Sequence, residues 1–160
     1  MTWRTLLATV ALATSCLTAF SVAHAQEKQE KRISQAQLPQ QVQTAVAQES
    51  KGAVIRGFSM EKEQGSKVYE VELVKDGRSK DVSLDANGNV IQIEQEITMD
   101  ALPVAAQQSL AVATGDGLID KIESLTRRGA LVAYEAVVKT GTKWSKIFVG
   151  PKGERLDIVD

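Results

Sequence analysis

The chain has 160 residues, and its 19 basic and 20 acidic side chains leave a formal net charge of −1. This balance excludes the strongly basic surface that nucleic-acid-binding proteins present to phosphates. The single cysteine and the single histidine, Cys16 and His24, both lie within the first 25 residues. Without that segment the chain has no thiolate nucleophile, no imidazole base and no zinc site of nitrogen and sulfur ligands. We therefore expect a protein that is not an enzyme and binds no cofactor.

Residues 1–25 have the pattern of an export signal. Arg4 precedes an apolar run over residues 5–22, and Ala23-His24-Ala25 has the small-x-small pattern that signal peptidase cleaves. We expect cleavage after Ala25, a mature protein that begins at Gln26, and a periplasmic or secreted location without stable membrane insertion. Cys16 follows Ala13-Thr14-Ser15, which is a poor lipobox, so a lipoprotein is the minority alternative.

The remainder of the chain contains an internal repeat. Residues of the first half recur in the second half at a spacing of 64 and then 65 positions. The clearest matched pairs are Leu38 with Leu102, Pro39 with Pro103, Tyr69 with Tyr134, Gly88 with Gly153 and Ile93 with Ile158. A recurrence of this kind indicates tandem duplication of one structural unit. We place repeat 1 at residues 33–96 and repeat 2 at residues 97–160.

Each repeat predicts one helix followed by four strands. Pro39 and Pro103 stand where a helix begins, and each is followed by apolar residues at helical spacing. Alternating apolar segments then follow, separated by turns at Gly65, Asp76-Gly77, Asn87-Gly88, Gly129, Gly141 and Pro151-Lys152-Gly153. The predicted fold class is α+β, with two tandem repeats that each pack a helix on a four-stranded antiparallel sheet.

The string Val68-Tyr69-Glu70-Val71-Glu72-Leu73, followed by Asp76-Gly77 and the segment from Val82 to Ile91, resembles a PepSY domain. PepSY domains occur in the propeptides of secreted metallopeptidases. Two copies in tandem resemble the PepSY-like group related to beta-lactamase inhibitory proteins (BLIP). The resemblance covers nearly all of residues 33–160. It implies a helix packed on an antiparallel sheet, and binding or inhibition of another extracytoplasmic protein such as a peptidase.

Strand alternation predicts two surfaces on the sheet face turned away from the helices. If Val71 and Leu73 face the helix, Glu70 and Glu72 face away, and Asp81 joins them from the next strand. These three residues form a predicted acidic face in repeat 1.

In repeat 2, Ile147 and Val149 take the helix-facing positions, which turns Trp144, Lys146 and Phe148 to the open face beside Val137. Exposed sheet faces are normally polar, so this aromatic patch predicts a covering partner protein. The alternative is an internal cover supplied by repeat 1, the N-terminal segment or a second copy of the chain.

Two short motifs invite a different interpretation. Ser59-Met60-Glu61-Lys62 matches S-x-x-K and Lys139-Thr140-Gly141 matches K-T-G, but the serine lies in a predicted strand and S-D-N is missing. Asp85-Ala86-Asn87-Gly88-Asn89 begins like a calcium loop and lacks its later ligands. We interpret the first match as coincidence and the second as an Asn-Gly hairpin turn, and we predict no metal site.

The sequence therefore predicts an exported, non-enzymatic binding module whose partner is a protein such as a peptidase. One alternative is a structural or cation-binding envelope stress protein that uses the acidic face of repeat 1. A less favoured alternative is a small hydrolase, for which only carboxylates, Lys, Ser, Thr, Tyr69 and Tyr134 are available after residue 25. Self-association remains open.

Overall fold

The structure is a computed structural model that describes residues 30–63 and 65–158. Within these residues there are two α-helices, α1 (Gln40–Glu49) and α2 (Val104–Thr114), each preceded by a short 3-10 helix, Gln35–Gln37 and Met99–Ala101. The strands are β1 (Lys31–Ile33), β2 (Val54–Glu63), β3 (Ser66–Lys75), β4 (Arg78–Asp85), β5 (Val90–Glu96), β6 (Leu118–Arg127), β7 (Ala130–Thr140), β8 (Lys143–Val149) and β9 (Arg155–Leu156).

Both helices begin directly after a proline, as predicted. Pro39 and Pro103 are the N-cap residues of α1 and α2, where a missing N–H leaves no helical hydrogen bond unmade. A glutamine in the first turn then ties each helix to the preceding segment. Gln43 Nε2 donates to the Leu38 carbonyl at 2.9 Å, and Gln107 Nε2 donates to the Leu102 carbonyl at 2.8 Å.

All nine strands form one antiparallel sheet in chain order from β1 to β9. The prediction of two separate four-stranded sheets is therefore wrong. β5 pairs with β6 along Gln92–Glu96 and Glu123–Arg127, because the outer backbone groups of both strands need partners and find them in each other. β1 adds a short strand at one edge that was not predicted, pairing with β2 from Phe58 to Met60.

Two hydrophobic cores lie between the sheet and the helices. The first is formed by Leu38, Val42 and Val46 packed on Phe58, Tyr69, Val71, Leu73, Val82 and Leu84. The second is formed by Leu102, Ala106 and Leu110 packed on Ile122, Tyr134, Ala136, Val138, Ile147 and Val149. The predicted helix-facing positions of β3, β4 and β8 are confirmed. Ile93 of the first half pairs with Thr126 in β6, and Ile122 lies on the same face of β6 as Thr126. Both helices therefore cover the same side of the sheet.

Two hairpin glycines approach the helices closely. Gly88 and Gly153 both have φ of +83°, and a Cβ at either position would lie 2.6 Å from a carbonyl oxygen in a first helical turn. The oxygens belong to Gln41 and Ala105, whose spacing of 64 matches the sequence recurrence. Only glycine fits here, because other residues rarely adopt this backbone conformation and their Cβ would meet the helix.

The last hairpins of the two halves differ by one residue in their pairing. In β5, Ile91 forms a bulge, so Ser83 pairs with Gln92 while Leu84 pairs with Val90. β9 has no bulge in its pairing, and Phe148 pairs directly with Leu156. Because side chains alternate between faces along a strand, this difference turns Leu156 away from the helices.

Candidate functional site

The face of the sheet opposite the helices, here called the open face, carries a continuous row of carboxylates. Strand pairing places Glu72 beside Asp81, Asp81 beside Glu94, and Glu96 beside Glu123. The full set, here called the acidic band, comprises Glu70, Glu72, Asp81, Glu94, Glu96, Glu123 and Glu135. The predicted acidic face of Glu70, Glu72 and Asp81 thus forms one end of a longer surface.

Cations of β1, β6 and β8 pair with members of the acidic band. Arg32 Nη1 lies 2.6 Å from Glu72 Oε1, Lys121 Nζ lies 2.9 Å from Glu123 Oε1, and Lys146 Nζ lies 3.2 Å from Glu135 Oε1. Glu123 and Glu135 are only 2% and 3% exposed, so these lysines neutralise charges that are almost removed from water. Arg32 is well exposed, and its pair contributes little stability.

Several carboxylates of the acidic band are partly desolvated and repelled by neighbouring carboxylates. Burial, followed by the charge of Asp81, raises the pKa of Glu70 to about 7. Burial, followed by the charge of Glu123, raises the pKa of Asp81 to about 6. Burial also raises the pKa of Glu135, although Lys146 acts in the opposite direction. The open face therefore holds negative charge that its own cations leave poorly stabilised.

Three carboxylates at the β1 end come close enough to share a cation. One ligand oxygen from each of Glu30, Glu70 and Glu72 lies within 4.8 Å of the others. The nearby Arg32 guanidinium already pairs with Glu72, and this hydrogen bond raises the pKa of Arg32. One of the three carboxylates is thus already paired with a cation of the protein.

The other end of the open face is apolar and basic. Trp144 is 55% exposed, and Lys139 Nζ lies 5.3 Å from the centre of its ring, within cation–π distance. Val137 is half-buried, and Lys146 is exposed and pairs with Glu135. Trp144, Val137 and Lys146 lie together on the predicted face, because β8 pairs with β7 in regular register.

Phe148 lies on the same face but is only 6% exposed, so it offers no free aromatic surface. It packs with Leu125 and Ala133 in a third small apolar cluster, against which Leu156 and Ile158 also pack. Leu156 in β9 and Ile158 beyond it supply the cover, because β9 lacks the bulge of β5 and Leu156 therefore turns to the open face.

Sequence reasoning missed much of the acidic band, namely Glu94, Glu96, Glu123 and Glu135. The sequence did contain a signal for them. Glu94 and Glu96 lie two positions apart in β5, and Glu123 and Glu135 each lie in a strand, β6 and β7, whose side chains alternate between the two faces. The alternation could assign each residue to a face, but only the β5–β6 pairing brings the two groups together.

The local motifs adopt structural roles. Ser59 lies within β2 and is 2% exposed, and Lys62 three positions along the strand points to the opposite face, so the two form no dyad. Asp85 accepts hydrogen bonds from the backbone of Asn87 and Asn89 and from the Asn89 side-chain amide, which lower its pKa. The predicted Asn-Gly hairpin turn is confirmed.

The fold is similar to solved structures from Bacteroides species. A candidate periplasmic protein of Bacteroides eggerthii gives a TM-score of 0.63 at 19% identity, covering 75% of this chain and 86% of its own. A DUF2874 family protein of Bacteroides uniformis gives 0.60 at 19% identity, with coverage of 74% and 86%. A BLIP-like protein of Bacteroides fragilis gives 0.57 at 22% identity, with coverage of 75% and 84%.

These likenesses show a BLIP-like fold and, at such low identities, the fold alone. No protein-family profile and no curated protein sequence matches the chain. Neither helix in the part of the chain that the structure describes has the length and apolar character needed to cross a bilayer.

Proposed function

We propose that this protein is an exported, non-enzymatic module that binds another extracytoplasmic protein through the open face of its sheet. The observation that carries the proposal is the exposed Trp144 at the end of a face that neither helix covers. Exposed aromatic residues of this kind commonly serve as anchors in protein interfaces. The acidic band favours a partner surface with basic residues, because charge complementarity guides association and excludes wrong partners.

The finer parts of the proposal rest on the sequence. The PepSY-like resemblance and the duplication of residues 33–96 and 97–160 favour a peptidase as partner and inhibition as the outcome. The matched glycine contacts at Gln41 and Ala105 support the duplication. Export, cleavage after Ala25 and the lipoprotein alternative at Cys16 concern residues outside those that the structure describes.

The open face is tested by affinity capture from the extracytoplasmic fraction of the source organism, followed by measurement of binding to the captured protein. Trp144→Ala and Asp81→Lys should each weaken capture at least tenfold. Val112→Ala is the matched control, because Val112 is an exposed hydrophobic residue on α2, on the helix side of the sheet. Equal losses in all three variants, or none in the first two, would contradict binding through the open face.

A non-enzymatic role predicts no turnover. Purified protein should leave peptide, ester and beta-lactam substrates intact. Turnover that disappears in Ser59→Ala or Lys62→Ala would instead support the small hydrolase.

The second candidate is cation binding at Glu30, Glu70 and Glu72, favoured by the approach of their ligand oxygens. Calcium titration monitored by melting temperature tests it, because a specific site stabilises the fold as the ion exceeds its dissociation constant. Glu70→Gln should remove the stabilisation if this candidate holds. An unchanged melting temperature in calcium would exclude it.

A further inference from the structure

The two halves of the open face differ in how they balance charge. In the second half, two ion pairs leave no net charge, Lys121 with Glu123 and Lys146 with Glu135. The recurrence at 64 and 65 positions matches these four residues, in the same order, to Gly57, Ser59, Asp81 and Glu70. The matched positions of the first half therefore hold two carboxylates and no cation.

Strand pairing shows that these positions are equivalent in space. In the second half, Lys146 lies opposite the residue two positions after Glu135, so the ion pair joins diagonal neighbours on β7 and β8. In the first half, Asp81 lies opposite the residue two positions after Glu70, which is the same diagonal on β3 and β4. Glu70 and Asp81, here called the acidic pair, thus place a carboxylate where Lys146 neutralises Glu135.

The neighbouring cations are paired with other carboxylates. Arg32 pairs with Glu72. Lys121 opposes the rise in the pKa of Asp81 that burial and Glu123 cause, but its ammonium pairs with Glu123. In the part of the chain that the structure describes, no ion pair joins the acidic pair to a lysine or an arginine. Its two half-buried carboxylates therefore face each other without the cation that the second half supplies.

We propose that the acidic pair receives a lysine side chain of the partner protein, whose ammonium takes the place that Lys146 takes beside Glu135. The inference deepens the proposed function and rests on it for the existence of a protein partner. The charge of the acidic pair indicates a cation, and the occupant of the matched position indicates an ammonium on a flexible stem. Such an ammonium can donate to both carboxylates at once, because it has three hydrogens.

An ammonium fits the acidic pair better than a metal ion does. The carboxylate oxygens that approach within 4.8 Å of one another belong to a different set, Glu30, Glu70 and Glu72. Asp81 is not in that set, and calcium takes about six to eight oxygen ligands. Glu94 and Glu123 extend the negative surface beyond the acidic pair and favour the approach of a positively charged partner.

The probe is tetralysine, added to the full chain, with tetralysine acetylated on every side-chain amine as the control. NMR follows the carboxyl carbon resonances of Glu70 and Asp81 against pH. Saturating tetralysine should lower the pKa of both carboxyls by about one pH unit or more, because a nearby positive charge favours the ionised form. The acetylated peptide should lower neither. The resonance of Asp120, an exposed residue of β6, should not move with either peptide. Equal effects of the two peptides, or an equal response of Asp120, would overturn the proposal.

Asp81→Lys supplies the proposed cation from within the chain. The introduced lysine should pair with Glu70 as Lys146 pairs with Glu135, so the pKa of Glu70 should fall from about 7 without any peptide. Tetralysine should then bind at least about tenfold more weakly, because its place is filled and the charge is neutralised. A Glu70 pKa that stays at about 7 in this variant would contradict the equivalence of the two diagonals.

The captured partner separates failure of this site from failure of the proposed function. Zero-length carbodiimide cross-linking should join Glu70 or Asp81 to a lysine of the captured protein, and Glu70→Gln should weaken capture. Undiminished capture by Glu70→Gln would overturn the lysine site and leave the open face as the binding surface. Tetralysine binding without any captured protein would contradict the proposed function while supporting the lysine site.

Two other occupants would contradict the proposal. Lys28 lies outside the residues that the structure describes. If Lys28→Gln raises the pKa of Glu70 in the absence of peptide, the chain's own lysine is the cation. If calcium moves the Glu70 resonance and tetralysine does not, the site belongs to a metal ion.

Discussion

Trp144 and Phe148 lie four positions apart on one strand and one face, yet their surroundings are opposite. Leu156 and Ile158 help to cover Phe148, whereas the β8 edge beside Trp144 has no neighbouring strand in the described chain. Removing each side chain should therefore affect different properties of the protein.

Phe148→Ala should lower the free energy of unfolding by about 3–5 kcal/mol, because it leaves a cavity in the third apolar cluster. Trp144→Ala should lower it by less than about 1 kcal/mol, since the ring is 55% exposed. Chemical denaturation measures both changes in the free energy of unfolding, and an unchanged m-value shows that they are changes in stability. A large loss of stability in Trp144→Ala would show that the tryptophan is structural.

The acidic band should make the fold less stable as pH rises. The pKa values of Glu70 and Asp81, about 7 and about 6, lie above the ordinary values of 4.5 and 3.8. Between those limits the folded chain binds more protons than the unfolded chain, so the free energy of unfolding falls with increasing pH. The destabilisation is complete once both groups ionise, above about pH 7.

We expect the melting temperature to decrease by several degrees from pH 5 to pH 8. The double variant Glu70→Gln, Asp81→Asn should have a flatter profile and a higher melting temperature at pH 8. Asp120→Asn, which removes one exposed carboxylate at the bulge of β6, is the control for loss of surface charge. A wild-type melting temperature that rises over this interval would contradict the predicted sign.

At the scale of the elements, each last hairpin is positioned against a helix by one glycine. Gly88→Ala and Gly153→Ala should each cost more than the roughly 1–2 kcal/mol of a left-handed backbone, because the new Cβ meets a helical carbonyl oxygen at 2.6 Å. Gly77→Ala is the matched control, with φ of +80° and no atom within 4 Å of the added Cβ. Equal losses in all three variants would show that helix contact is unimportant.

The sequence predicts what is encoded locally. Turn glycines, prolines before helices and period-two alternation were enough for the order of the two helices and of the strands after β1, and for the helix-facing residues of β3, β4 and β8. The join between β5 and β6 depends on pairing between distant strands, which no local pattern specifies. The cover of Phe148 depends on a one-residue difference in pairing between the two halves. Ile91 forms a bulge in β5, whereas Leu156 at the matched position pairs regularly with Phe148.

At the scale of the whole molecule, one sheet joins two hydrophobic cores. Hydrogen bonds between β5 and β6 link the two cores directly. If one core is lost, the strands that packed against it no longer support the strands of the other core. We expect the described part of the chain to unfold as a cooperative unit.

Leu73→Ala in the first core tests this cooperativity. It should lower the free energy of unfolding by about 2–5 kcal/mol, because Leu73 is fully buried. Trp144 fluorescence should report the same shifted midpoint as calorimetry, although Trp144 lies in the other half. Two calorimetric transitions, with only one shifted by the substitution, would indicate independent halves.

Because β9 pairs regularly with β8, the accessibility of the Phe148 side chain depends on the number of residues in the last hairpin. One additional codon between those for Arg155 and Leu156, with pairing kept regular, would turn Leu156 and Ile158 toward the helices and place Asp157 on the open side. Phe148 would then lose its cover. Insertion of a single residue in this hairpin can thus expose an aromatic surface while every existing side chain is retained.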